Sequence, residues 1–429
     1  MIQRAAILST GDELTTGRTL DTNANYIADK LVGLGLEVAA VIVVGDFPDR
    51  IAWAWRETMR QADVVISTGG LGPTADDLTT QTVGDVVGRP LRLDQEVADR
   101  IGKMFAAIGR QMPENNLRQA MFPEGAVVIP NGLGTAPGYR LSIDAAEECG
   151  SKHLVVLPGV PREMKPMLEQ EVLPWLQSQR GSDDVYVSRV FQTFGISESA
   201  LDEQVSQCLR ADECRIAFRA AFPQVSVRLT VQGKPDEAPA RLDQLSQRLR
   251  DHLGEVIYGE GDTSMEAEVG ALLKARGCTL ALAESCTGGL VANRLTNIAG
   301  SSAYLRGGVV AYSNDVKQSQ LGVRPETLAA HGAVSEETAV EMATAARKLL
   351  GADLGLAITG IAGPDGGSAE KPVGTVCFAL ASAGRTFHRR YQLWGTRDWI
   401  KLLSSQVGLD WIRRYLLGFD PTQANILRK

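Results

Sequence analysis

The chain has 429 residues, 44% of them hydrophobic and 22% charged, with a formal net charge of −7. That length exceeds one ordinary domain and calls for two or three, and the composition is that of a globular protein rather than a disordered or fibrous one. The acidic balance gives no whole-chain reason to expect nucleic acid or an anionic membrane as a partner, and no stretch is long and apolar enough to span a bilayer.

The N-terminal apolar run ends too soon, before Gly11-Asp12-Glu13, to read as a secretory signal. The six cysteines are scattered, with no CxxC pair and no zinc-like spacing. Reduced thiols in a cytoplasmic protein are the expectation.

Apolar runs at 5–8, 38–44 and 64–67 read as buried strands. Helical spacing covers 23–34, 51–61 and the stretch around Val83. Such alternation predicts a doubly wound parallel sheet with helices on both faces, binding its ligand beyond the carboxyl ends of the strands. Two motifs stand at those ends. One is Ser9-Thr10-Gly11-Asp12-Glu13-Leu14, followed by Asp21-Thr22-Asn23; the other runs Ser67-Thr68-Gly69-Gly70-Leu71-Gly72-Pro73-Thr74-Ala75-Asp76-Asp77. Glycines let backbone N–H groups come close to a phosphate. Asp76 and Asp77 can hold a divalent cation or position water; the alternative is a Gly-rich turn whose aspartates cap the next helix. A pyrophosphate beside two carboxylates is unfavourable unless a cation intervenes. A third segment, Leu157-Pro158-Gly159-Val160-Pro161-Arg162-Glu163-Met164, follows another apolar strand. It reads as a wall of the same pocket or as a strand-to-helix connection with proline at the helix start.

The pattern breaks around 174–184, where a domain boundary is expected. Strands near 186–193 and 225–232 and helices near 197–209 and 238–253 then suggest a small α+β module. Tyr258-Gly259-Glu260-Gly261-Asp262 reads as a link, after which Thr263 and Glu266 have the spacing of a capping box. Strands at 280–283, 308–311, 354–358 and 375–381, with helices at 337–350 and 398–416, make a second α/β unit. The expected divisions are 1–176, 177–258 and 259–429.

Within that unit, an apolar run at 278–283 leads into Glu284-Ser285-Cys286-Thr287-Gly288-Gly289, and helical spacing resumes at 290–295. Strand, tight turn and helix place Ser285 among unpaired backbone N–H groups. The site suits a nucleophile with an oxyanion pocket, an anion-binding loop, or an ordinary turn with a small capping residue.

Four segments occur in order: Ala283 to Gly289, Gly307-Gly308-Val309-Val310-Ala311-Tyr312-Ser313-Asn314, Gly332-Ala333-Val334-Ser335, and Thr359-Gly360-Ile361-Ala362-Gly363-Pro364-Asp365-Gly366-Gly367. They resemble the nicotinamide mononucleotide deamidase domain of the competence/damage-inducible protein A (CinA) family, and the upstream half resembles that family's molybdopterin-binding-like domain. Molybdopterin biosynthesis proteins usually read GGTG where this chain has Leu71 in place of the threonine. The resemblance implies an N-terminal metal-dependent ADP-ribose pyrophosphatase, a KH-like middle domain and a C-terminal α/β deamidase. A nucleic-acid-binding KH module needs a GXXG loop. None is found in the middle portion, so a spacer or a dimerisation role is expected, with a homodimer and no direct nucleic-acid contact.

Amide hydrolysis needs a nucleophile, a base and donors for the oxyanion. Ser285 is the first candidate nucleophile, and Cys286 beside it is a rival because thiols are more nucleophilic at neutral pH. Of the histidines in this domain, His331 reads as packing or capping a helix end and His388 as an exposed strand residue. Lys317 is the alternative base if burial lowers its pKa, with Tyr312 relaying or orienting the proton. By the resemblance, Ser285, Tyr312 and Lys317 align with the family's catalytic residues. The Gly-rich stretch from Thr359 to Gly367 can cradle a phosphate, and Arg397 can add a bidentate contact. Substrate contacts are expected at Glu284, Thr287, Gly288, Gly289, Thr359, Gly360, Gly363 and Arg397, with no metal in this site. In the N-terminal domain they are expected at Gly11, Asp12, Glu13, Asn23, Gly69, Gly70, Gly72, Thr74, Pro158, Gly159 and Glu163. There Asp76 and Asp77 are expected on a divalent cation (Mg, Mn or Co). Alternative readings are a pterin-binding N-terminal module and a non-catalytic competence or DNA-repair scaffold.

Overall fold

The computed structural model describes residues 2–143, 151–179 and 184–423. Internal contacts divide the chain into two units, 1–187 with 232–239 and 188–231 with 240–429.

The first unit runs β1 (Arg4–Thr10), α1 (Asp12–Thr15), α2 (Thr22–Gly33), β2 (Glu37–Val44), α3 (Pro48–Gln61), β3 (Val64–Thr68), α4 (Thr79–Val87), β4 (Leu91–Leu93), α5 (Gln95–Ala107), β5 (Met121–Pro123), β6 (Val127–Ile129), β7 (Gly138–Ile143), β8 (Lys152–Leu157), α6 (Pro161–Met167) and α7 (Leu173–Ser178). Its sheet has the order β2-β1-β3-β8-β7-β6. The first four strands are parallel, as the alternating pattern predicts. The last two are antiparallel, so the doubly wound sheet carries an antiparallel edge. The reading missed that edge because β6 is three residues long and shows no measurable period. Core residues cover both faces: Trp55, Val83 and Ile101 on one, and Ile27, Leu31 and Met164 on the other. The first part of the stretch expected as a boundary, around 174–184, is helical, because α7 continues through Pro174 to Ser178; proline is tolerated in the first turn of a helix. Residues 180–183 of that expected boundary lie outside the described residues.

The middle module contains β9 (Val185–Phe194), α8 (Glu198–Cys208), β10 (Arg215–Ala221), β11 (Gln224–Gly233), α9 (Ala238–Leu253) and β12 (Ile257–Glu260). Its four strands have the order β10-β11-β9-β12. The expected link at 258–262 is therefore corrected: most of it is strand β12, paired antiparallel with β9 and holding Tyr258 buried. The expected capping box at Thr263 and Glu266 is displaced by one residue. Ser264 is the cap, its hydroxyl accepting from the Ala267 amide at 3.3 Å, while the Thr263 hydroxyl donates to Glu268 at 2.7 Å.

The C-terminal portion runs α10 (Met265–Arg276), β13 (Leu280–Glu284), α11 (Leu290–Thr296), β14 (Leu305–Val310), α12 (Asn314–Leu321), α13 (Pro325–His331), α14 (Glu336–Leu349), β15 (Leu354–Gly360), β16 (Thr375–Ala381), β17 (Thr386–Gln392) and α15 (Arg397–Leu417). The sheet order is β14-β13-β15-β16-β17, with β14, β13 and β15 parallel and the last two strands antiparallel. Strand β13 is fully buried, and α14 packs small residues (Ala339, Ala343 and Ala346) against one face of the sheet. Helix α15 covers the opposite face with Leu403, Val407 and Trp411. Among the described residues, no helix is long and apolar enough to cross a membrane.

Candidate active sites

The β13–α11 turn is anchored on both neighbouring strands. The Ser285 amide donates to the Ile358 carbonyl at 2.9 Å, and the Ala311 amide donates to the Glu284 carbonyl at 2.8 Å. Gly288 and Gly289 take φ of +63° and +91°, a region that side-chain-bearing residues avoid. This lets the chain reverse between Ser285 and α11, with the Gly288 amide closing on the Ser285 carbonyl at 3.0 Å. Glu284, expected on substrate, is instead engaged by the protein. Its buried carboxylate accepts from the amides of Gly289, Val291 and Ala292 at 2.9–3.1 Å. It thus satisfies the donors that a helix start leaves open. The amides of Cys286 and Thr287 have no carbonyl acceptor among the described backbone bonds, and both face the Cys286 sulfur. The Thr287 hydroxyl is buried without a partner.

Lys317 lies on the first turn of α12 and is 1% exposed, one of the largest fully buried side chains of the described residues. Its Nζ stands 3.1 Å from Ser285 Oγ, 2.8 Å from the Ala311 carbonyl and 3.5 Å from the Tyr312 carbonyl. Burial holds its pKa below the ordinary lysine value. A neutral amine has two N–H donors and one lone pair. Here Nζ donates to Ser285 Oγ and to the two carbonyls; in the neutral form two N–H groups would serve the carbonyls and the lone pair would face the serine hydroxyl. Cys286, the rival, is buried, and burial pushes its thiol up to about 12. Its thiolate is therefore scarce at neutral pH.

The Tyr312 phenol does not meet the lysine or the serine. It is 60% exposed and accepts from Arg397 Nη2 at 2.7 Å, so among the described contacts Tyr312 reaches Lys317 through its carbonyl alone. Arg397 also donates to the Gly363 carbonyl at 2.6 Å. The Gly363 segment therefore meets Arg397 through a carbonyl, where the sequence suggested amides facing a phosphate. The Thr359 hydroxyl donates to the Ala333 carbonyl at 2.8 Å, which joins two of the sequence motifs. Gly360 closes β15 against the turn; a Cβ there would come 3.1 Å from Cys286 Sγ. His331 Nδ1 is 3.5 Å from Glu337, and His388 Nδ1 is 3.0 Å from Glu336. Neither histidine reaches Ser285 in any described contact. Sequence reasoning missed Lys401, whose Nζ lies 4.0 Å from where a Cβ on Gly288 would stand. Its spacing of four from Arg397 on a helix was the available signal.

In the first unit, the strand ends bring the three motifs together. Gly69 has φ +100°, and a Cβ on it would lie 2.3 Å from the Thr10 carbonyl oxygen. Its amide donates to the Leu157 carbonyl at 3.1 Å. Thr79 Oγ1 donates to the Gly69 carbonyl at 3.0 Å and meets Thr10 Oγ1 at 3.3 Å. A Cβ on Gly70 would strike the same Thr79 hydroxyl. The Asn23 amide donates to the Gly159 carbonyl at 2.7 Å, leaving Asn23 Oδ1 buried and unpartnered. Gly159 itself packs against Gly69. Glu163, after Pro158 and Gly159, accepts from Asn131 at 2.8 Å and so supports the neighbouring loop.

The acidic residues line the rim of this site. Asp77 accepts from the Thr74 amide at 2.9 Å and from its hydroxyl at 2.6 Å, and packs against Gly72. Asp76 accepts from the same hydroxyl, which holds its carboxyl below the usual range. Asp12 and Asp46 exchange amide-to-carboxylate bonds at 3.0 and 3.1 Å. Burial and the charges of Asp12, Glu13 and Asp76 raise the Asp46 pKa, against the opposing pull of the Asp12 amide. Sequence reasoning missed Asp46, although it follows the carboxyl end of β2. Beside Gly70, Leu71 and Gly72 opens a cavity of about 240 Å³, lined also by Thr80, Arg118 and Gln119. Leu71, where the molybdopterin proteins carry threonine, is buried in the core.

Among the described residues, no group of three or more His, Cys, Asp or Glu side chains is arranged to hold a metal ion. Mg²⁺ is commonly bound by one or two carboxylates, with substrate phosphates and water supplying the rest. Here Asp76 and Asp77 already accept from Thr74, which leaves at most a two-carboxylate contribution of that kind.

Comparison with known proteins divides the chain in three. Residues 6–178 match a probable molybdopterin binding domain, 188–259 the damage-inducible protein CinA KH domain, and 262–416 the CinA C-terminal domain. A putative competence-damage inducible protein from Caldanaerobacter subterraneus is 42% identical over 415 residues, covering 97% of this chain and 99% of its own. A CinA-like protein from Geobacter sulfurreducens is 44% identical, covering 96% of this chain and 99% of its own. A solved competence/damage inducible protein from Agrobacterium tumefaciens is 44% identical, covering 34% of this chain and 90% of its own, at a TM-score of 0.33.

Proposed function

The chain belongs to the competence/damage-inducible protein A family, and from that premise we propose that it is a bifunctional hydrolase of pyridine-nucleotide salvage. The C-terminal site hydrolyses the carboxamide of nicotinamide mononucleotide to nicotinic acid mononucleotide and ammonia. The observation that carries this reading is the buried Lys317 Nζ, 3.1 Å from Ser285 Oγ. In this reading Lys317, whose ammonium form burial disfavours, acts in its neutral form and takes the Ser285 proton as Oγ attacks the carboxamide carbon. The oxygen that gains charge is stabilised by the Cys286 and Thr287 amides, preorganised by the anchored turn. The Lys317 ammonium then gives its proton to the departing nitrogen, and ammonia leaves an ester on Ser285. Water, activated in turn by Lys317, cleaves that ester and restores both side chains. Arg397 and Lys401 supply positive charge for the substrate phosphate.

The N-terminal site, in this reading, splits ADP-ribose with water into AMP and ribose 5-phosphate. Its cation, carried with the pyrophosphate, would neutralise charge between substrate and the carboxylates of Asp76, Asp77 and Asp46. Gly69 and Gly70 bring the backbone close to the phosphates, and Asn23 Oδ1 is left open to a polar ligand group. The match of residues 6–178 to a probable molybdopterin binding domain favours a second reading of this pocket, as a pterin site. One experiment addresses all of this: incubate the protein with nicotinamide mononucleotide and with ADP-ribose, with and without chelator, and identify the products. Chelator-resistant ammonia release and chelator-sensitive AMP formation are expected. ADP-ribose left intact while a pterin binds would favour the second reading.

A further inference from the structure

The β10–β11 hairpin of the middle module ends at Phe222-Pro223. The Phe222 ring stacks on Trp399 with centroids 4.3 Å apart and planes at 21°. It also tilts against Trp394 at 5.8 Å, and the two tryptophans meet edge to face at 5.7 Å. These tryptophans bracket the start of α15. Between them, Thr396 caps the helix by accepting from the Trp399 amide at 3.4 Å, and Gly395 packs under the Trp399 ring. Arg397 and Lys401 project from the same two turns toward Tyr312, Gly363 and Gly288.

The far end of α15 is tied to the same module. Arg413 donates to the Glu255 carbonyl at 2.8 Å and to that of Ile257 at 3.4 Å, and Arg414 pairs with the Glu255 carboxylate at 2.5 Å. Buried Asp410 holds Arg413 in place at 2.7 Å. The helix that carries the cationic side of the amide site is therefore gripped by the middle module at both ends. A spacer would need neither contact. The aromatic stack forms where the helix begins, within one turn of Arg397.

We propose that the middle module completes the phosphate side of the amide-hydrolysing site, with Phe222 as a positioning residue. It holds Trp399 and Trp394 so that Arg397 and Lys401 meet the anionic end of the substrate. The proposal rests on the reading that this site takes a nucleotide. Phe222 touches neither Ser285 nor Lys317 in any described contact, so its loss acts on binding rather than on the chemical step. Aromatic pairs of this kind contribute about 0.5–1.5 kcal/mol, which corresponds to roughly 2- to 13-fold in affinity.

The test is steady-state ammonia release by the full chain with Phe222→Ala, Phe222→Leu and Phe222→Tyr, using inorganic phosphate as a competitive inhibitor. In Phe222→Ala, KM for nicotinamide mononucleotide should rise roughly 3- to 10-fold with kcat within about two-fold. The Ki for phosphate should rise in parallel, and tryptophan emission should shift to the red as Trp399 is uncovered. Phe222→Tyr, which keeps the stack, should restore all three readouts. If the alanine variant does not fold, Phe222→Leu, which keeps apolar bulk without the ring, must show the same rise. An unchanged KM, a fall confined to kcat, or a wild type indifferent to phosphate overturns the inference while leaving the amidase reading intact. A wild type that releases no ammonia from nicotinamide mononucleotide overturns the amidase reading, and this inference with it.

Discussion

Replacing Lys317 with methionine removes the proposed base and keeps the shape of its stem. Losing a general base typically slows a reaction on the order of 10²–10⁴-fold. A thousandfold loss raises the barrier by about 4 kcal/mol. The effect on folding should be much smaller, because two terms oppose each other. The Ala311 carbonyl loses its 2.8 Å donor, and a buried acceptor left unpaired costs about 1–3 kcal/mol. Against this, a buried amine no longer has to shed its hydration. The expected variant is folded and nearly inactive. The pH dependence carries the sign. The folded pKa of Lys317 is depressed below the ordinary 10.5 by burial. Wild-type kcat/KM should therefore rise with pH and level off below 10.5, once the amine is neutral. Stability follows linkage: between the folded and unfolded pKa values the unfolded chain binds more protons, so wild-type stability climbs with pH across that window. Any stability advantage of Lys317→Met over wild type should therefore be largest below the folded pKa and shrink as pH rises toward 10.5. Ammonia release and thermal melts at several pH values measure both. A methionine variant within a few-fold of wild-type rate would refute the base assignment.

Glu284→Gln removes the charge that caps three amides at the start of α11. Charge-assisted bonds are worth about 1.5–3 kcal/mol, so a fall in Tm of roughly 3–12 °C is expected by calorimetry, together with weaker amidase activity as the Ser285 turn loosens. An unchanged Tm would show that the cap does not hold the turn. Asp76→Asn, Asp77→Asn and Asp46→Asn should each lower AMP formation from ADP-ribose and leave ammonia release unaltered, assayed side by side on one preparation. Undiminished, chelator-resistant hydrolysis in the triple variant would defeat the cation reading. Alkylation of Cys286 by iodoacetamide in the folded protein should be slow near pH 7.5, because its thiol is pushed up to about 12; rapid mass labelling there would contradict the burial argument.

Much of this was readable from residue order. Long periodic segments such as 375–381, and the strand–turn–helix around Ser285, announce themselves because every local choice agrees with the fold. The pairing of Ser285 with Lys317 was accessible only as a candidate, since the two are 32 positions apart and the hydrogen bond depends on how α12 docks. Glu284 shows the limit of reading motifs as contact lists: a carboxylate beside a nucleophile looks like a ligand group, yet its oxygens are taken by three amides. Tyr312 shows another, because it lies in the connection between β14 and α12, where no period tells which partner a side chain will find. Asp46 and Phe222 were hidden for a different reason. Asp46 gains its meaning from facing Asp12 across neighbouring parallel strands, and Phe222 from a hairpin that meets a helix starting 175 positions later. Such long-range pairings leave no local period.

The amide chemistry turns on which atom attacks the carboxamide carbon. The most direct measurement is ammonia release from nicotinamide mononucleotide by Ser285→Ala and Cys286→Ala, with thermal melts to establish that both are folded. The structure-based account predicts release abolished in Ser285→Ala and retained within a few-fold in Cys286→Ala. Release that survives in Ser285→Ala and disappears in Cys286→Ala would contradict it.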